Sequence, residues 1–337
     1  MNLWPFKKPD CVAIIIHGLQ NKPPGRLFKR WCLEAIREGF TRAGLVSRLF
    51  TFEFVYWSHH LYPNPLNPLE TREGHPCFLA EPYVPCEETL SAIKKNTRIS
   101  IIFRSLAQKT LAKLFLGSSI QEKADALAGN ILEYTFPDLA LYYANKRVFD
   151  RKKGVRDLLR AELLGAIRKY PESKILLIAH SMGSIVAYDI LADSSLSIDI
   201  LLTVGSPLGS PVVRKRFAQE YDLPLTNKDK IPAPESVQTA WYNLADIEDM
   251  VAFDAKLADH YAPNSRAIAP QDVQTVNDYV FQGNANHHNI FGYLRSTELV
   301  RILHSFIDQQ PFSVRERIAN KFASYLTKIK ARQRPKL

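Results

Sequence analysis

Ala179-His180-Ser181-Met182-Gly183 lies between the apolar run Ile175-Leu176-Leu177-Ile178 and the helix-like Ser184-Ile185-Val186-Ala187-Tyr188. A serine between small residues at a strand-to-helix turn reads as a nucleophile elbow. Such a turn holds the serine in a strained backbone conformation, so the side chains two positions before and after it must be small to clear the neighbouring strands. Ala179 and Gly183 meet that demand, Ala179 with one methyl more than the glycine usual there. Five residues alone do not separate this reading from an ordinary strand and helix joined by a small-residue turn. The remaining segments decide.

Upstream, Val12-Ala13-Ile14-Ile15-Ile16 is a continuous apolar run of the kind a parallel strand covered on both faces requires, and His17-Gly18-Leu19 ends it. A helix over about 27–38, a strand over about 49–57 and a helix over about 155–169 are expected from periodicity. Downstream, Ile200-Leu201-Leu202-Thr203-Val204 and Thr239-Ala240-Trp241-Tyr242-Asn243-Leu244 read as further strands. The second opens into the acidic loop Ala245-Asp246-Ile247-Glu248-Asp249-Met250-Val251, whose acids alternatively cap a helix beginning near Val251. A last strand over about 273–282 precedes a polar loop holding His287-His288, and then an apolar-periodic helix over 299–307 that Ser296 or Thr297 caps. This alternation predicts an α/β fold, a mostly parallel sheet with helices on both faces.

Taken together these segments resemble an α/β-hydrolase of the serine esterase and lipase type. The likeness is to poorly characterised bacterial members with His17-Gly18, Asn21-Lys22-Pro23-Pro24, Tyr56-Trp57 before an insertion, and Gly205-Ser206-Pro207-Leu208-Gly209 after the strand that follows the elbow. It covers residues 11–57 and 174–303. In that family the catalytic order is Ser, then Asp or Glu, then His, and both later members occur here in that order. The resemblance therefore implies Ser181 as nucleophile, Asp249 or Asp246 as the acid, and His288 or His287 as the base. Asp249 is preferred for the Asp-x-Val pattern it makes with Val251, and His288 for the Gly292-Tyr293-Leu294 that follows it at family spacing. It implies the backbone amides of Leu19 and Met182 as oxyanion donors, and leaves His17 a structural role in its turn. The implied activity is ester cleavage through an acyl-enzyme, with a small-molecule or lipid acyl ester as substrate. Acyl transfer by the same residues and a catalytically silent binding protein are the alternatives.

The chain has 337 residues, 46% of them hydrophobic and 23% charged, enough for one single-domain core. Residues 59–150 interrupt the alternation and are expected to form a helical cap, opened by Tyr62-Pro63-Asn64-Pro65-Leu66-Asn67-Pro68, which no helix interior accepts. Within it, residues 90–116 mix apolar and basic side chains without an acid. The tail, 312–337, carries eight basic residues against Glu316 and holds most of the net charge of +10. Such a tail is either a solvated amphipathic helix packed on the body or a peripheral contact with an anionic membrane. No reader motif for nucleic acid accompanies the charge. No cysteine, histidine or carboxylate cluster has zinc-type spacing, so neither metal nor cofactor is expected. The start of the chain lacks signal-peptide character, no run is apolar enough to span a bilayer, and Cys11, Cys32, Cys77 and Cys86 fit reduced thiols. A cytoplasmic chain, free or peripheral at the inner membrane surface, is expected.

Overall fold

A computed structural model describes residues 9–46, 50–86, 137–149, 151–192, 196–223, 230–252 and 254–308. Six strands form its central sheet: β1 (Cys11–Ile16), β2 (Thr51–Val55), β3 (Lys174–His180), β4 (Ile198–Val204), β5 (Val237–Ala245) and β6 (Pro270–Gln274). Every pairing is parallel, in the order β2-β1-β3-β4-β5-β6. The chain steps from β1 outward to β2 and then crosses back to β3 on the other side. A crevice consequently opens at the carboxyl ends of β1 and β3, where this class of sheet binds ligands.

The continuous apolar strands are explained by cover on both faces. Val12, Ile14 and Ile16 of β1, with Leu177 and Ala179 of β3, pack under α3 (Val155–Arg168) and α4 (Met182–Ala192). Ala13 and Ile15, with Leu176 and Ile178, face α1 (Gly25–Arg42) and the late helices α6 (Ile290–Leu294) and α7 (Thr297–Asp308). Two shorter helices, α2 (Pro137–Tyr143) and α5 (Pro211–Glu220), join the first face through Leu139, Tyr142, Val213 and Phe217. Asp189 of α4 is buried beneath them. Burial opposes its charge, but Arg156, Tyr142 and Tyr221 donate to it and hold its pKa below the usual carboxylate value. This network ties α2 and α3 to the helix that follows Ser181.

Three local expectations change. The strand expected over 273–282 ends at Gln274, because Asn277 is drawn inward: its amide donates to Asp246 Oδ2 at 2.6 Å and its side chain to Asn289 O at 2.7 Å. Val280–Phe281 and Asn284–Ala285 then form a separate hairpin across Gln282 and Gly283, both at positive φ, as a tight turn of this kind needs. Among the described residues, no helix begins near Val251. Asp249 Oδ1 instead accepts the amides of Val251 at 2.9 Å and Ala252 at 3.2 Å, closing a turn. Helix α1 runs from Gly25 to Arg42, longer at both ends than expected, and Ser296 caps α7 through Leu299 N. Residues 90–116 and the tail 312–337 lie outside the described residues. Among the described residues, no helix is long and apolar enough to cross a membrane.

Candidate active site

The parallel register aligns the carboxyl ends of β1, β3, β4 and β5, with Ile16 beside Ala179, Ala179 beside Thr203, and Thr203 beside Asn243. The residues that follow these strands therefore emerge along one edge. Ser181, between β3 and α4, has φ of +54° and is held there by its amide on Val204 O at 3.1 Å. Ser184 N and Oγ both donate to Ser181 O. The small residues have named neighbours: a Cβ on Gly183 would come within 2.8 Å of the Ile16 and His17 carbonyl oxygens, and one on Gly18 within 2.6 Å of Ser181 Cβ. The chain after β1 thus passes directly against the serine.

His288 bridges the serine to the acidic loop. Its Nε2 lies 2.8 Å from Ser181 Oγ, and its Nδ1 lies 2.9 and 3.0 Å from the two oxygens of Asp249. A carboxylate only accepts, so Nδ1 carries the proton and Nε2 faces the hydroxyl as an acceptor. Asp249 is buried. Burial raises its pKa, but the charge of His288 and hydrogen bonds from His288, Tyr293 and Val251 N outweigh it and leave the pKa below the usual value. Tyr293 Oη donates to Asp249 Oδ2 at 2.7 Å and accepts Asp246 N at 3.1 Å; burial and the adjacent Asp249 push its pKa far up, so it is a neutral donor.

The other sequence candidates stand apart from the serine. His287 Nδ1 lies 3.2 Å from Asp246 Oδ2 and its Nε2 3.3 Å from Glu248. His17 is fully buried and stacked on Trp57, with ring centroids 4.6 Å apart, and its Nδ1 donates to Gly18 O at 2.8 Å. His180 donates from Nε2 to His288 O at 2.9 Å, fixing the backbone of the histidine loop.

Leu19 borders the cavity above Ser181, and Met182 is the first residue of α4, where backbone amides have no intrahelical acceptor. The peptide joining Leu19 to Gln20 is gripped at both ends. Lys22 Nζ donates to Leu19 O, while Gln20 N donates to Asp138 Oδ2 at 2.6 Å, with Tyr62 Oη on Asp138 Oδ1 at 2.5 Å. Burial lowers the Lys22 pKa to about 8 against the pull of Asp138 and Glu81. The cavity holds about 490 Å³ and is walled by Phe28, Trp31, Leu66, Phe78 and Phe291.

Tyr293, Lys22 and Asp138 were not singled out as site residues in the sequence. Tyr293 lies inside the Gly292-Tyr293-Leu294 stretch that favoured His288, so its spacing from the histidine was an available signal. Asp138 sits in the insertion with no motif around it. The described residues define an α/β protein whose Ser181 and His288 line a cavity at the sheet's switch point, with Asp249 buried behind His288. No protein-family model matches the chain, and no curated protein matches it.

Proposed function

We propose that this chain is a serine hydrolase of the α/β-hydrolase type, cleaving carboxylic esters through an acyl-enzyme on Ser181. The observation that carries this reading is the single imidazole of His288 spanning 2.8 Å to Ser181 Oγ on one side and 2.9 Å to buried Asp249 on the other. In the proposed reaction, Ser181 Oγ attacks the ester carbonyl as its proton passes to His288 Nε2. Asp249 keeps the ring in the productive tautomer and stabilises the imidazolium. The amides of Leu19 and Met182 receive the developing oxyanion. The imidazolium then protonates the leaving alkoxide, and water repeats the sequence to free the acid and restore the serine.

The aromatic walls of the cavity suit an apolar acyl chain. Leu66 and the run Phe78 to Glu81 come from the insertion and border the same cavity, which supports a cap role for it. Contact with an anionic membrane through the basic insertion and tail belongs to this reading, since it would bring the site to lipid esters. The test is turnover of p-nitrophenyl esters from acetate to laurate by the wild type and Ser181→Ala, with and without anionic vesicles. Turnover lost in Ser181→Ala is expected; equal turnover by both proteins would place the chemistry elsewhere.

A further inference from the structure

Where the chain leaves β2 for the insertion, Ser58–His60 make one turn of 3-10 helix backed by α3. His59 and His60 lie with ring centroids 4.0 Å apart. Both turn Nε2 toward one oxygen of Glu162 on α3: His60 Nε2 is 2.9 Å from Oε1 and His59 Nε2 3.6 Å from it. All three donor atoms lie within 4.8 Å of one another. Glu162 is 102 positions from His60, so sequence spacing gives no sign of the cluster.

The proton positions already suit a ligand at His59, whereas His60 Nε2 donates to Glu162 and would carry its hydrogen on Nδ1 instead when an ion binds. His59 Nδ1 lies 2.7 Å from Tyr56 O, and a carbonyl only accepts, so Nδ1 carries the hydrogen and Nε2 presents a lone pair. Metal-binding histidines are commonly oriented in this way, by a backbone carbonyl on the far nitrogen. Arg151 is a nearby cation, its Nη2 on His59 O at 3.4 Å, and the Glu162 charge offsets it.

The two distances to Glu162 agree with a small ion. Bonds of about 2.05 Å at tetrahedral angles put ligand atoms about 3.3 Å apart, and the observed 2.9 and 3.6 Å fall on either side of that. We propose that His59, His60 and Glu162 form a binding site for a divalent transition-metal ion of the zinc type, with the fourth position open to water. Two imidazoles and one carboxylate select such an ion over magnesium or calcium, which take all-oxygen sets. The bound ion would fasten the first turn of the insertion to α3. This inference is independent of the proposed ester chemistry.

The test uses the full chain without a histidine tag, with zinc competed against a chromophoric chelator and cobalt followed by its visible absorption. One equivalent of zinc, a tetrahedral cobalt spectrum and no response to magnesium are expected in the wild type. His59→Ala and Glu162→Gln should each weaken zinc at least about tenfold, whereas Glu248→Gln, beside His287, should not. Circular dichroism in chelator checks that the variants fold, which the exposure of His59 and Glu162 favours. Absence of zinc binding by the wild type, or full affinity and stoichiometry in both folded variants, would overturn the proposal.

Discussion

His287 and His288 are adjacent in the chain, yet their rings divide the acidic loop between them: His287 Nδ1 is 3.2 Å from Asp246, and His288 Nδ1 is 2.9 Å from Asp249. Only the second pair continues to a serine hydroxyl.

The two carboxylates should therefore respond differently to neutralisation. Asp249→Asn removes the acceptor that sets the His288 tautomer, and kcat for ester hydrolysis should fall by about 10⁴. Asp246→Asn should change kcat by no more than about threefold while costing some stability, because Asp246 Oδ2 accepts Asn277 N. Steady-state kinetics on both variants checks this, and the opposite ranking would reassign the acid.

Gly205 follows β4 with φ of +54°, and a Cβ there would lie 2.8 Å from Asp249 Oδ2 and 3.1 Å from His288 Nδ1. Gly205→Ala should cost about 1–2 kcal/mol for the backbone alone and should cut kcat by at least about tenfold by displacing the pair. Paired measurements of thermal midpoint and kcat test it. An Ala variant with unchanged kcat would mean that the histidine and carboxylate relax without loss.

The sheet was legible because its strands β1, β3 and β4 are covered on both faces and so read as mostly apolar runs. Gly183 was legible for a related reason: the backbone of Ile16 and His17 leaves no room for a side chain, and that demand shows in the sequence as a small residue. The choice between Asp246 and Asp249 was legible only in the Asp-x-Val pattern, since both acids lie in the loop after one strand and the path of residues 275–289 decides which histidine meets which. Asp138 was hidden for another reason. Its contact with Gln20 spans 118 positions, and no local pattern encodes a contact made by tertiary packing.

Lys22 gives a pH signature. Its ammonium donates to Leu19 O and loses its proton as pH rises through about 8. Above that pH the Leu19–Gln20 peptide keeps only a neutral amine on its carbonyl side, a weaker donor than the cation. Activity in the wild type should decline above pH 8, whereas Lys22→Arg, charged throughout, should hold its rate to higher pH. Superimposable pH profiles for the two proteins would remove Lys22 from the control of that peptide.

Acid should destabilise the fold before it titrates most carboxylates. Burial holds His17 and His180 neutral, with pKa values well below the ordinary histidine value. In the unfolded chain both take up protons as pH falls below about 6.5, so the unfolded state binds more protons and stability drops with decreasing pH. Each such histidine contributes up to about 1.4 kcal/mol per pH unit until its folded pKa is passed. Urea unfolding should therefore show a lower stability at pH 5 than at pH 7. Equal midpoints and slopes at the two pH values would show that these histidines accept protons in place.

The nucleophile itself can be read by mass. Purified protein treated with a fluorophosphonate, digested and sequenced by tandem mass spectrometry, should carry a single adduct on the peptide containing Ser181, with labelling slowed at least about 10³-fold in His288→Ala. Stoichiometric labelling of a different residue, or unlabelled Ser181 in folded protein that still hydrolyses esters, would contradict the role assigned to this serine.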